Sequence, residues 1–114
     1  MQLLKRDYDK AILITVEEPR IDAAVAIQFK EKIRELADGG PDRVILDMSK
    51  VDFLDSSGLG SVVAAMKQLG SDRNLELAGL TPTVQKVFRL TRMDTVCTIH
   101  DTAGAALDGL ADAC

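Results

Sequence analysis

The sequence predicts an α/β fold: one domain on a mixed, mostly parallel sheet, with an N-terminal antiparallel hairpin and about four helices. Three observations carry that expectation. Short apolar runs alternate with amphipathic stretches along most of the chain, the first two runs are separated only by a polar turn, and Gly or Pro punctuates the junctions that follow. The 114 residues suit a single domain spanning 1–114. At 46% hydrophobic and 28% charged, the chain can fill one core, which argues against extensive disorder.

Leu3–Arg6 and Ala11–Val16 flank the polar turn Asp7-Tyr8-Asp9-Lys10 and predict the hairpin. The second run is almost wholly apolar, so cover is expected on both of its faces. From Ala23 to Asp38, Ala26, Phe29, Ile33, Leu36 and Ala37 form a stripe at helical spacing, with Asp22 as N-cap and Gly39-Gly40-Pro41 as terminator. Val44–Met48 is the third strand. Leu59, Val62, Val63, Met66 and Leu69 then mark one side of a second helix that ends at Gly70. Leu75–Ala78 is the fourth strand. Thr81-Pro82 opens a third helix as N-cap and first-turn proline, turning Val84, Val87 and Phe88 inward. Val96–Ile99 is the fifth strand, with Cys97 as an inert core thiol. A last helix from Asp101 carries Ala103, Ala106, Leu107 and Leu110, and Cys114 is expected to fray at the end. Strands joined through helices this short should be parallel, with right-handed crossovers.

Composition excludes several functions. Fourteen Lys and Arg against eighteen Asp and Glu leave a net charge of −4, without the basic footprint of a nucleic-acid binder. No apolar run reaches the ~20 residues that span a bilayer, and Met1-Gln2-Leu3-Leu4-Lys5 does not resemble a leader. A cytoplasmic protein without membrane insertion is expected. Two separated cysteines give neither a disulfide framework nor a zinc site, so no cofactor and no metal are expected. Catalysis finds no constellation either. His100 is the sole histidine and suits a surface or capping role, and no Gly-x-Ser-x-Gly elbow or phosphate loop is present. Asp47, Asp52 and Asp55 alternate between a strand and its outgoing loop, which does not establish convergence on one ion.

The informative stretch is Val51-Asp52-Phe53-Leu54-Asp55-Ser56-Ser57-Gly58-Leu59-Gly60, where an extended segment meets the second helix. Asp and Ser there satisfy open first-turn amides. Two hydroxyls where one would cap, and two glycines costing about 1 kcal/mol each relative to Ala inside a helix, exceed what stability needs. A hydroxyl at a helix N-terminus is also a tolerant place for a phosphate, since the exposed amides and the positive end of the dipole accept a dianion. Modification there would change surface charge while leaving the fold intact.

Asp55-Ser56-Ser57-Gly58-Leu59-Gly60, preceded by Val51-Asp52-Phe53-Leu54, resembles the signature of STAS-domain anti-sigma factor antagonists, small bacterial partner-switching proteins. Thr81-Pro82-Thr83-Val84-Gln85-Lys86-Val87-Phe88 is similar to that family's Pro-x-Val-x-x-x-Phe region, and the likeness covers nearly the whole chain. The resemblance implies a STAS domain whose acceptor is Ser56, phosphorylated by an anti-sigma factor that is itself a serine kinase. It implies that the unmodified form binds this kinase and that a metal-dependent serine phosphatase resets the modified one. Ser57 would shape the acceptor loop. Asp22, Leu54, Asp55, Ser57, Gly58 and Leu59 would form the partner-binding surface. Asp22 matches the Asp of the family's Gly-x-Leu-Asp segment, with Pro19 of Pro19-Arg20-Ile21-Asp22 in place of Gly. Asp22 is equally explained as a helix cap, and Leu59 as core. Leu54 is either core or an apolar rim around the hydroxyl. Three other roles fit a domain of this kind: an accessory subunit of a transport complex, a partner switch with an output other than a sigma factor, and, least, nucleotide binding.

Overall fold

The computed structural model describes residues 1–70 and 72–108. In chain order the elements are β1 (Leu3–Asp7), β2 (Ala11–Val16), β3 (Arg20–Ile21), α1 (Ala26–Ala37), β4 (Arg43–Asp47), β5 (Phe53–Leu54), α2 (Ser56–Gln68), β6 (Asn74–Ala78), α3 (Pro82–Leu90), a 3-10 turn (Met93–Thr95), β7 (Thr98–His100) and α4 (Ala103–Ala106). The main sheet runs β1-β2-β4-β6-β7, antiparallel in its first pair and parallel in the other three. The expected mixed sheet, hairpin and four helices are all present.

Period-two alternation sorts the strands into two faces. Ile12, Ile14 and Val16 of β2, Val44 and Leu46 of β4, and Leu75 and Leu77 of β6 join Phe29, Ile33, Val62, Val84 and Phe88 from the helices in the main core. Ala11, Ile45 and Ala78 turn the other way and pack with Ala106 of α4, so β2 is covered on both faces as its composition implied. No helix among the described residues is long and apolar enough to cross a membrane.

Several boundaries differ from expectation, each for a local reason. The α1 helix begins at Ala26, because Asp22–Val25 forms a separate turn. The Val25 amide donates to the Asp22 carbonyl at 3.1 Å and the Ala24 amide to Asp22 Oδ1 at 3.1 Å, so Asp22 caps this turn while Val25 is the helix N-cap. Thr81 does occupy the N-cap of α3, but its hydroxyl donates to the Val51 carbonyl at 2.8 Å instead of serving the helix. The last strand is Thr98–His100, not Val96–Ile99: the amides of Val96 and Cys97 close the 3-10 turn onto the Met93 carbonyl. Cys97 still lies in the core at 8% exposure, and burial pushes its thiol pKa up. On α2 the buried line is Gly58, Ser61, Val62 and Ala65, while the larger Leu59, Met66 and Leu69 pack at its margins. Leu110 and Cys114 lie outside the described residues.

His100 has a structural job that its surface or capping assignment missed. Its Nε2 lies 2.7 Å from Glu76 Oε1, and Arg43 grips the same carboxylate through Nε at 2.7 Å and Nη2 at 2.8 Å. Arg43 Nη2 also donates to the Ala106 carbonyl at 3.0 Å, tying α4 to the sheet. A glutamate only 7% exposed would be costly without such partners. The Arg43 hydrogen bond, more than His100, holds its carboxyl below the usual glutamate range.

Candidate functional site

The site is assembled by the two shortest strands. β3 and β5 pair in parallel, Arg20 with Phe53 and Ile21 with Leu54, as a ribbon separate from the main sheet. The Pro19 carbonyl accepts from the amides of Asp52 at 2.8 Å and Phe53 at 3.2 Å. Proline at 19 therefore contributes its acceptor, and the amide it lacks is not called on. Ile21 and Leu54 turn into the core, whereas Arg20 and Phe53 face outward. Leu54, at 4% exposure, is a core residue and not a rim around the hydroxyl.

Continuing the ribbon by one residue on each strand brings the Asp22 and Asp55 segments side by side. Asp55 is the extended N-cap of α2, at φ −93° and ψ −176°. Its Oδ1 accepts from the Gly58 amide at 2.8 Å, and its Oδ2 accepts from the Ala23 amide at 3.2 Å. One carboxylate thus closes the first turn of α2 and anchors the loop before α1. Gly58 sits against Ile21, where an added Cβ would overlap the Ile21 carbonyl, so only glycine lets α2 lie this close to β3. Ser61, also buried, donates its hydroxyl to the Gly58 carbonyl at 2.6 Å.

These contacts fix what remains outside. Ser56 and Ser57 are the first two residues of α2, and both are exposed. Asp22 and Asp55 are partly exposed beside them, and Leu59 is half-buried against the core. Arg20 lies across Phe53 with Cζ 4.5 Å from the ring centroid, and its Nε is 3.4 Å from Asp22 Oδ2. A shallow groove of about 200 Å³ between α1 and α2 opens next to Ser57, lined by Ala26, Ile27, Lys30, Gly60, Ser61 and Ala64. Of the predicted site residues, Asp22, Asp55, Ser56, Ser57 and Leu59 share one surface; Leu54 and Gly58 lie beneath it.

Chemically, the arrangement presents an accessible hydroxyl at a helix N-terminus among fixed carboxylates. No described group of three His, Cys, Asp or Glu side chains could hold a metal ion, and Asp47 is occupied in accepting the Ser49 amide at 3.0 Å. His100, held by Glu76 on the sheet, is not at the Ser56 surface. Sequence reasoning missed the β3–β5 ribbon and with it Arg20. Two residues per strand give no alternation to detect, and the only cue was the polar pair Arg20 and Asp22 around Ile21.

Comparison with known proteins gives a consistent result. The family model described as the STAS domain matches residues 2–106. BtrV of Bordetella bronchiseptica is 29% identical over 104 residues, covering 90% of each chain. The anti-sigma-B factor antagonist of Listeria monocytogenes is 29% identical over 107 residues, covering 91% of this chain and 90% of the relative. Among solved structures, an anti-sigma factor antagonist from Mycobacterium paratuberculosis matches with a TM-score of 0.82 at 25% identity, over 93% of this chain and 90% of that one.

Proposed function

The chain belongs to the STAS domain family, and on that premise we propose that it is an anti-sigma factor antagonist working by a phosphorylation-controlled partner switch in the cytoplasm. The observation that carries the reading is the exposed Ser56 on the first turn of α2, beside an Asp55 cap that fixes the backbone around it. The names of the Listeria and Mycobacterium relatives support the same role.

In this reading the unmodified protein docks on an anti-sigma serine kinase through Ser56, Ser57, Asp22, Asp55 and Leu59, with Leu54 and Gly58 setting the shape beneath. The kinase transfers the γ-phosphoryl group of ATP to Ser56. The Oγ–P bond forms as the bond to the ADP leaving group breaks, and the hydroxyl proton passes to a base of the kinase. The chain itself supplies binding and an acceptor, not catalysis. A phosphate of about −1.5 to −2 charge then lies beside Asp55 and Asp22 in the interface, where desolvation and like-charge repulsion cost about 3 kcal/mol, on the order of 100-fold in affinity. Little refolding is required, because phosphate at the start of α2 meets the favourable end of its dipole. A serine phosphatase restores the hydroxyl.

The test is phosphorylation by the anti-sigma kinase from the same cell, with ATP, read by mass spectrometry. One phosphate at Ser56 and none on Ser56→Ala is the expected result. Equal modification of both proteins rejects the site. A Ser56→Asp protein that binds the kinase as tightly as the parent rejects the switch.

A further inference from the structure

The outer face of the β3–β5 ribbon carries a side chain that the switch does not otherwise use. Arg20 is the cation on that face. Its guanidinium stacks on Phe53, and its Nε pairs at 3.4 Å with Asp22, two residues nearer the acceptor end. Through Asp22 the side chain is drawn to the end of the parallel ribbon from which α2 starts, and it is still 61% exposed, so the pair is weak and readily exchanged. Register places Arg20 opposite Phe53, and Ser56 follows three residues later. At ~3.3 Å per strand residue and ~4.8 Å between neighbouring strands, the Cα atoms of Arg20 and Ser56 are roughly 11 Å apart or closer. That distance lies within the combined reach of an extended arginine and a phosphoserine.

We propose that Arg20 is the phosphate-ligating residue of the modified protein, leaving Asp22 and the Phe53 ring to pair with the phosphoryl group on Ser56. The inference rests on the reading of Ser56 as acceptor and adds how the chain itself receives the charge. Phosphate offers three strong acceptor oxygens and matches the guanidinium fork in two-point geometry, whereas Asp22 now engages only Nε. The competing anions, Asp22 and Asp55, are each already held by a backbone amide, from Ala24 and Ala23. Departure of Arg20 also uncovers one face of Phe53, so modification changes apolar surface as well as charge at the docking face. Lys30 is the rival cation, since it lines the groove on the Ser57 side.

Phosphoserine incorporated at position 56 during synthesis of the full chain tests this without the natural kinase. The readout is the second ionisation of the phosphate, followed by phosphorus NMR across pH. In the parent it should fall about half a unit below its value in Arg20→Gln, because a cation favours the dianion. Arg20→Lys should retain part of that difference, and Lys30→Gln should leave it unchanged. The Arg20 side-chain protons should also lose the ring-current shift from Phe53 once phosphate is present. Identical titration in the parent and Arg20→Gln overturns the proposal, as does a Lys30→Gln effect as large as that of Arg20→Gln. Failure of the kinase to modify Ser56 would remove the switch instead, and would leave these titrations interpretable on their own.

Discussion

The Ala23 amide donates to Asp55 Oδ2 at 3.2 Å, joining two loops 32 residues apart in the chain. The other oxygen of the same carboxylate accepts from Gly58 at 2.8 Å. Asp55 is therefore both a helix cap and a brace between the segment before α1 and the first turn of α2. Any protein docking on Ser56 meets a surface whose two halves are joined by this side chain beyond the end of the β3–β5 pairing.

Asp55→Ala should cost about 1–2 kcal/mol of stability, the usual range for losing an N-cap, measured by urea denaturation. Asp55→Asn keeps a side-chain oxygen for the Gly58 amide but loses the second acceptor, so it should cost less than Ala. Both should weaken kinase binding, because the Ala23 loop is released in each. An Asn variant with parental affinity would mean that the brace is irrelevant to docking.

The two glycines near the start of α2 should respond in opposite directions. A Cβ on Gly58 meets the Ile21 carbonyl, and the ribbon cannot yield without breaking its pairing. Gly58→Ala should therefore destabilise by about 2–3 kcal/mol through overpacking. A Cβ on Gly60, inside the helix, would meet nothing within 4 Å beyond its own turn. Gly60→Ala should stabilise by up to about 1 kcal/mol. Thermal or urea unfolding of the two variants decides it, and equal shifts would mean that the close approach of α2 to β3 is misplaced.

The Arg43–Glu76–His100 cluster predicts a pH dependence. Arg43 first, and His100 second among the hydrogen-bonding partners, hold the Glu76 carboxyl below its ordinary value. The stabilisation is whole above the ordinary glutamate range, where folded and unfolded chains both carry the charge. It is lost as pH falls through that range to the lower folded value, because the unfolded chain takes up its proton first. Glu76→Gln should cost about 1–3 kcal/mol at neutral pH, and its deficit against the parent should shrink on acidification. A deficit that stays constant down to pH 3 would contradict the assignment.

What the sequence could disclose follows from the length of each pattern. The hairpin shows as two apolar runs around a polar turn and the α1 stripe repeats its period several times, so both were legible, as was the start of α2 from its Asp cap. The ribbon was not, since Arg20–Ile21 and Phe53–Leu54 offer two residues each and meet only in the folded chain. Nothing within the Leu75–Ala78 run marks Glu76 as buried. Its burial depends on Arg43, which comes 33 residues earlier, and on a neighbouring α4 whose carbonyl Arg43 also holds. Asp22 was recognised as a cap, but the three-residue offset to α1 depends on the Ala23 and Ala24 amides finding carboxylates on two different loops.

The sequence resemblance implies a glycine where this chain has Pro19, and the geometry around Pro19 indicates what that change would do. Its carbonyl holds the amides of Asp52 and Phe53, a role that a glycine carbonyl performs equally well. The fixed φ of proline mainly restricts the unfolded chain, so Pro19→Gly should lose stability, by about 0.4–1 kcal/mol, and little else. The β3–β5 pairing, the Asp55 brace and the Ser56 surface should persist. Kinase affinity should accordingly stay within twofold of the parent while the urea midpoint falls. If affinity drops tenfold with an unchanged midpoint, Pro19 touches the partner directly, and the docking surface extends past Asp22 to the start of the ribbon.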